Sequence, residues 1–464
     1  MFLKSRQIPI AFALISILFY ISFAYDLLRT DYIKLISLYA ALFFLFYKLI
    51  QSNTPDLKFL TGIAILFRLV FFIATPNLSQ DFYRFIWDGR MILEGFNPYL
   101  HTPDSFISSG QFPIAQAQEL YEGMGSLSAG HFTNYPPIKQ FIFMIAAVFS
   151  GKNILGSVIV FRTFIIAADI GTLYIGTKLL ERLKMPLHHI FWYILNPFII
   201  IELTGNLHFE GIMIFLLLLS LYLLHLDYWK TAAIAFALSV SVKLIPLLFL
   251  PLLFQYFKKN KNELPSEEKS ENLNLSTLNL KKLIGFYAII GWTTLLLFMP
   301  FYSSEFINNY SKTVGLWFST FEFNASLYYI ARQIGYVLTS YNQIGLIGKF
   351  IPILTILIVI SLTFFRKNTT TIQLITNMLL AITLYYFIST TVHPWYLATL
   401  LILSVFTKYK FPLVWSFVII LSYLAYSTTQ NIENFWVIGL EYLIVYSVFI
   451  WEVAIKKDHQ KAVS

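Results

Sequence analysis

The residues best suited to chemistry lie in one polar stretch, from Ser79 to Tyr99, that follows a long apolar run. It begins SQDFYRFIWDGR and ends EGFNPY, and at helical spacing Asp81, Arg84 and Asp88 fall on one face with aromatic side chains opposite. This pattern predicts an amphipathic helix lying at a membrane surface. A carboxylate held there is suited to general-base work; the alternative is a solvated surface helix whose charges pair locally.

Two later motifs carry a cation and an imidazole. Lys139 follows NYPP, whose prolines suit the first turn of a helix, so its ammonium group lies either beside a phosphate or extended towards the interface. His393, in TVHPWYL, interrupts two apolar runs and is either a site residue or a structural histidine. Asp81 is therefore the candidate base. The candidate binding residues are Arg84, Asp88, Arg90, Tyr135, Lys139, His393 and Arg332.

The composition excludes several protein classes. Of 464 residues, 57% are hydrophobic and 12% charged, whereas soluble proteins carry about 25% charged residues. The absence of cysteine excludes disulfides and thiolate chemistry, and no Walker A, GxGxxG or HExxH motif supports nucleotide or metalloprotease chemistry. The net charge of +9 comes from cations clustered between apolar runs, which indicates membrane topology and contact with anionic lipids, with no nucleic-acid partner.

The apolar runs predict the architecture. About fourteen of them approach the length of a membrane-spanning helix, so we predict an all-α, polytopic membrane protein with roughly 12–14 transmembrane helices in one domain, 1–464. Residues 76–136 are predicted to be an external loop with interfacial helices, and 258–282 a flexible cytoplasmic loop. Both termini are expected in the cytoplasm, most simply at a bacterial cytoplasmic membrane, with the site on the other face.

Hydropathy does not decide the parity of the middle spans, that is, whether an even or an odd number of the runs from 137 to 254 cross the bilayer. If every run from 137 to 254 crosses the bilayer, the basic residues Lys178, Arg182 and Lys184 lie on the outer side, against the positive-inside rule. Either 137–150 or the stretch around Lys243 is then re-entrant. The buried charges Arg162 and Asp169, seven residues apart on one face, are expected to form a structural polar seam.

The order of these motifs resembles the GT-C superfamily of integral-membrane glycosyltransferases. An apolar span, an outward Asp-aromatic helix, EGFNPY, NYPP, NP with GN, VKLIP and a late HPWYL are most similar to polyprenol-phosphate-mannose-dependent mannosyltransferases of bacteria. The GPI mannosyltransferase that adds the first mannose is a more distant likeness. The resemblance covers most of residues 59–260 and the region near His393. It implies a GT-C-type bundle, a polyprenyl-phosphate sugar donor, an acceptor lipid or glycan, and an extracytoplasmic site.

The resemblance also implies a role for Asp81, which corresponds to an essential acid in the first external loop. Some members have Asp-x-Asp there, whereas this chain has Ser79-Gln80-Asp81, so we expect no metal and no other cofactor. An inverting transfer needs a base for the acceptor hydroxyl, and the departing lipid phosphate needs cations more than a proton donor.

Two other functions fit a chain with many spans. A flippase or transporter of lipid-linked saccharides predicts inverted repeats and a polar site near the middle of the membrane. A glycan ligase or polymerase is typically built around a large late external loop. This sequence has no evident internal repeat, and its largest external segment comes early, so transferase activity is favoured.

Overall fold

The computed structural model describes residues 7–53, 56–257, 280–427 and 431–456. Within these residues the chain is helical and has no strand; the one extended pairing is an isolated bridge between Phe323 and Thr391. The α-helices are α1 Gln7–Tyr25, α2 Tyr32–Asn53, α3 Leu57–Val70, α4 Asp81–Leu93, α5 Pro103–Ile107, α6 Ala117–Ala129, α7 Pro137–Ser150, α8 Ile154–Arg182, α9 Phe191–Ile194, α10 Pro197–Ile199, α11 Glu210–His225, α12 Trp229–Val240, α13 Leu253–Tyr256, α14 Leu280–Phe298, α15 Ser304–Ser319, α16 Leu327–Thr339, α17 Ile344–Phe365, α18 Thr371–Ile388, α19 Leu397–Val405, α20 Phe411–Val418 and α21 Phe435–Ile450.

The long apolar helices confirm the prediction of an all-α polytopic membrane protein. Seven helices are long and apolar enough to cross a bilayer, namely α1, α2, α8, α14, α17, α18 and α21, two of them (α14 and α21) with short helical extensions. The segments Leu187–Ile194 and Pro197–Gly205 form an eighth candidate, bent by 49°. Of the predicted cytoplasmic loop, residues 258–279 lie outside the described residues, and 280–282 begin α14.

The segment between α3 and α7 contains three helices, α4, α5 and α6, in place of an irregular loop. The predicted amphipathic helix is α4, which packs against both α6 and α7 and is more deeply covered than a surface helix. Phe85 of α4 stacks on Phe143 of α7 with ring centroids 4.7 Å apart. The two backbones approach closely at Gly89, where a Cβ would lie 2.1 Å from the carbonyl oxygen of Phe143.

Gly89→Ala is expected to destabilise the protein by about 1–3 kcal/mol, because the added methyl group meets a backbone atom that can move only with the whole of α7. The matched control is Gly62→Ala on α3, where nothing lies within 4 Å of the new Cβ. The measurement is the thermal unfolding midpoint of both variants in the same detergent. Equal midpoints would contradict the close α4–α7 packing.

The position of α7 bears on the parity of the middle spans. Its first turn hydrogen-bonds to the end of α12, with the N–H of Ile138 donating to the carbonyl of Ser241 at 3.0 Å. Its last residue, Ser150, lines a polar cleft of about 550 Å³ together with Gln116 and Glu119 of the α4–α6 segment. Both ends of α7 therefore lie with that segment, and α7 packs on α4 without crossing the bundle.

The following helix, α8, runs antiparallel to α3. Arg162, near its start, reaches the carbonyl of Phe72 just beyond α3, and Lys178, near its end, lines one groove with Lys58 at the start of α3. Lys178 and Lys58 therefore lie at the end of the bundle opposite Asp81. This arrangement agrees with a positive-inside distribution once 137–150 is not counted as a crossing.

Buried charges tie these helices together, as the predicted polar seam requires. Arg68 of α3 donates to Asp169 of α8 at 2.7 Å and to the carbonyl of Ile194 at 2.9 Å. Arg162 donates to the carbonyls of Thr204 and Gly205, where the bent pair ends in a π-helical turn. The seam thereby fixes the backbone immediately before the polar stretch 206–210.

Candidate active site

Asp81 is the first residue of α4 and is partly accessible. Its N–H donates to the Ser79 hydroxyl at 3.3 Å, and within the described chain no cation lies within ion-pairing distance of its carboxylate. Burial raises the pKa of Asp81 above its ordinary value. The nearby charges of Lys139, Arg29 and Lys243 oppose this rise, and that of Glu210 adds to it. Asp81 thus lies within electrostatic range of charged groups from four other segments.

Lys139 is buried in an aromatic cage at the start of α7. Its ammonium nitrogen lies 4.2 Å from the ring centroid of Tyr135, 5.0 Å from that of Phe85 and 5.4 Å from that of Phe209. Rings hold a cation electrostatically and leave its N–H donors available. Among the described residues no carboxylate lies within 4.0 Å of this nitrogen, so it is suited to binding an anion.

Glu210 and Lys243 form an ion pair beside these two residues. Glu210 is the first residue of α11, where a carboxylate interacts favourably with the helix dipole, and Lys243 follows the end of α12. The Lys243 nitrogen also lies 4.0 Å from the ring centroid of Tyr396, in the HPWYL motif. The pair therefore joins the α11–α12 hairpin to the segment that carries His393.

A column of five stacked rings borders this charged cluster. The rings of His208 and Trp395 are 3.8 Å apart, those of Trp395 and His393 4.6 Å, those of His393 and Phe323 5.0 Å, and those of Phe323 and Tyr426 5.4 Å. We call these five residues the ring column. It brings together four segments that are distant in sequence, so it positions His393 by packing from both sides.

Backbone hydrogen bonds hold the middle of the ring column. The N–H of Phe323 donates to the carbonyl of Thr390 at 3.1 Å, and the N–H of Val392 donates to the carbonyl of Phe323 at 2.8 Å. Asn324, in a left-handed conformation with φ 47°, is fixed by Glu433 at its N–H and by Glu441 at its side chain. The α15–α16 connection is thereby anchored over the HPWYL motif.

The two histidines of the ring column are neutral at physiological pH. Burial lowers the pKa of His393 to about 3, and the charge of Lys243 lowers it further while Glu210 opposes the shift. Burial likewise lowers the pKa of His208 to about 3. These imidazoles can therefore exchange hydrogen bonds with a ligand but do not supply positive charge.

Four of the predicted binding residues, Arg84, Asp88, Arg90 and Arg332, are engaged in contacts within the protein. Arg84 pairs with Asp88 at 2.8 Å and donates to the carbonyls of Ser128 and His131, while Asp88 also accepts from Gln140. This network packs against the loop that carries Tyr135 and the first turn of α7, which carries Lys139, so the network supports the site from behind.

The remaining two arginines are also engaged away from the cluster. Arg90 donates to the carbonyl of Ala115 at 2.6 Å and to the side chain of Gln116 at 3.1 Å. Arg332 pairs with Glu322 and stacks near Tyr329. Asp81, Tyr135, Lys139 and His393 are therefore the predicted residues that the fold brings together.

Several residues of the cluster were not predicted as site residues. His208 and Glu210 were visible only as a polar break, Lys243 only as a lysine before a proline, and Arg29 carried no signal, because it lies in a short turn between two spans. Glu210, Lys243 and Arg29 come near Asp81, and His208 comes near Glu210 and Lys243, only through the tertiary packing. Within the described residues no three His, Asp or Glu side chains are grouped as a metal-binding set.

Two family models match overlapping parts of the chain. The model described as Alpha-(1->6)-mannopyranosyltransferase, N-terminal domain, matches residues 26–258, and the model described as Mannosyltransferase (PIG-M) matches residues 204–456. A curated relative, Alpha-(1->6)-mannopyranosyltransferase A of Corynebacterium glutamicum, is 24% identical over 216 residues. The aligned part covers 45% of this chain and 41% of the relative, so it spans less than half of the relative's length.

Proposed function

Since the chain belongs to the mannosyltransferase families of the GT-C type, we propose that it transfers mannose from a polyprenyl-phosphate donor to a lipid or glycan acceptor. The observation that carries the proposal is the convergence of a partly accessible carboxylate, Asp81, with a caged cation, Lys139, at one end of the helix bundle. An inverting glycosyl transfer from a lipid phosphate needs these two kinds of group.

Asp81 acts as the general base. It takes the proton of the acceptor hydroxyl while the hydroxyl oxygen forms a bond to the anomeric carbon of mannose. The bond between that carbon and the phosphate oxygen breaks at the same time, and its electron pair goes to the lipid phosphate. The Asp81 carboxylate has no ion pair among the described residues, which supports this role, since a base already held in an ion pair is a weaker proton acceptor.

Lys139 stabilises the departing phosphate. Negative charge increases on the phosphate as the glycosidic bond breaks, and a fixed ammonium group aimed at that charge lowers the barrier without protonating the leaving group. The cage of Phe85, Tyr135 and Phe209 fixes the ammonium group in position before substrate arrives. His393, neutral and held in the ring column, orients a hydroxyl or phosphate oxygen by hydrogen bonding.

The reaction takes place at the extracytoplasmic face, with no metal ion required. The bundle end that carries Asp81 lies opposite the end that carries Lys58 and Lys178, which favours a cytoplasmic position for those lysines and for both chain termini. The cations of the cluster supply the charge that a metal ion provides in other transferases.

The direct test is to incubate the purified full-length protein in detergent or nanodiscs with a panel of polyprenyl-phosphate sugars and acceptor lipids. Mass spectrometry of the products is expected to show one hexose added to an acceptor and free polyprenyl phosphate in equal amount. Donor consumption without an acceptor product, or movement of donor across vesicles without transfer, would refute the proposal.

The acidic limb of the pH profile is expected to report the ionisation of Asp81. A base works only when deprotonated, so kcat/KM falls as pH drops through its pKa, and burial places that fall above the ordinary range of a carboxyl group. Removing the positive charge in Lys139→Gln should move the acidic limb to higher pH, and removing the negative charge in Glu210→Gln should move it to lower pH. Identical limbs in all three proteins would contradict the assignment.

A further inference from the structure

We propose that Arg29, in the turn between α1 and α2, binds the phosphate group of the lipid-linked donor. The inference rests on the proposed function and adds a binding residue from a part of the chain that no sequence motif singled out. The turn joins two apolar helices that are candidate membrane spans, so Arg29 lies at the depth of lipid headgroups.

The guanidinium group of Arg29 is held rigidly. Its central carbon lies 3.5 Å from the ring centroid of Tyr426, the last member of the ring column. Stacking on a ring fixes the plane of a guanidinium group and leaves its N–H donors pointing outward around the edge. The ring column therefore holds Arg29 in a fixed orientation relative to His393.

Among the described residues no carboxylate forms an ion pair with Arg29, although the guanidinium group also hydrogen-bonds to the Tyr426 side chain. The Nε atom is buried and has no hydrogen-bond acceptor among the described residues. Both acidic residues of the same turn bind Lys34. Asp26 pairs with the Lys34 ammonium group at 2.6 Å, and Asp31 accepts a hydrogen bond from the Lys34 backbone N–H at 3.3 Å. By contrast, the buried arginine Arg68 is committed to a carboxylate partner.

Arg29 nevertheless acts on the centre of the site. Its positive charge favours the ionised form of Asp81 and disfavours the charged form of His393, which places it within electrostatic range of both. Arg29 and Lys139 are held by different rings, and the charges of both favour the ionised form of Asp81.

A phosphate group with at least two unesterified oxygens is the ligand that this arrangement fits. Arginine presents paired N–H donors that match two phosphate oxygens, and a charge-assisted pair of this kind is stronger than a neutral hydrogen bond. A polyprenyl chain attached to such a phosphate lies in the membrane beside α1 and α2, so the headgroup reaches Arg29 without leaving its leaflet. The donor carries this phosphate as a diester, and the released product, polyprenyl phosphate, carries it as a monoester. Both have at least two unesterified oxygens, so the product is a suitable probe.

The test measures binding of polyprenyl phosphate to the full-length protein in nanodiscs of neutral lipid. Arg29→Gln is expected to weaken binding about 10- to 100-fold, and Arg29→Lys, which keeps the charge but loses the paired donors, to weaken it less. Lys34→Gln, which removes a cation from the same turn, is the matched control and should leave the affinity within about twofold. Unfolding midpoints identify any variant that fails to fold, and Arg29→Lys then provides the comparison.

The outcomes separate this inference from the proposed function. Wild-type affinity in both Arg29 variants, with transfer activity intact, would overturn the role of Arg29 alone. A wild-type protein that neither binds polyprenyl phosphate nor transfers sugar would overturn both. Equal competition by phosphatidylglycerol or by inorganic phosphate would also overturn the assignment, because it would show a general anion site in place of one for the lipid donor.

Discussion

Replacing Asp81 by asparagine is expected to lower the rate of sugar transfer about 10²- to 10⁴-fold, the usual contribution of a general base. The amide has the size of the carboxylate but cannot accept the acceptor's proton. Because the Asp81 carboxylate has no ion pair in the described chain, its loss should leave the unfolding midpoint nearly unchanged. The measurement is single-turnover transfer with saturating donor, alongside thermal unfolding.

Asp88→Asn is the matched control on the same helix face. Asp88 is buried in the network of Arg84 and Gln140, so its replacement should lower stability more than Asp81→Asn does and activity less. Near wild-type transfer by both variants would remove Asp81 as the base. A larger activity loss in a stably folded Asp88→Asn protein would move the chemistry to Asp88.

Asp169→Asn is expected to destabilise the protein by about 3–5 kcal/mol, because it leaves the buried guanidinium group of Arg68 without its carboxylate. The loss should appear as a lower unfolding midpoint in detergent and a lower yield of folded protein. The control is Lys178→Gln on the same helix, where an exposed pair with Glu181 at 3.3 Å contributes about 0–1 kcal/mol. Equal midpoints in both variants would show that the seam is not a structural element.

The site was partly predictable because some of its residues lie in local motifs. Asp81 is marked by its amphipathic helix, and Lys139 by a proline pair at a helix start; both signals are carried within a few residues. The pairing of Glu210 with Lys243 depends on how α11 and α12 pack against each other. No pattern in the sequence indicates that packing. Arg84 shares the helical face of Asp81 by spacing, but packing of α6 and α7 turns it inward.

For the fold, as for the site, the features set by local sequence were predictable and those set by tertiary packing were not. Hydropathy predicted the apolar helices, since desolvation of the backbone in lipid allows few other structures. Hydropathy also predicted 137–150 as a candidate span and left open whether that segment crosses the bilayer. Close contact at Gly89 and the cleft shared by Ser150 and Gln116 place α7 beside α4, a relation that length and polarity do not reveal.

The ring column also bears on how one sugar is distinguished from another. Trp395 has His208 on one face and His393 on the other, so neither face is free for a pyranose ring to lie against. At Trp395, recognition of a sugar is therefore left to hydrogen bonds with individual hydroxyl groups. Sites built in this way reject an analogue that lacks the correct hydroxyl far more strongly than an apolar surface does.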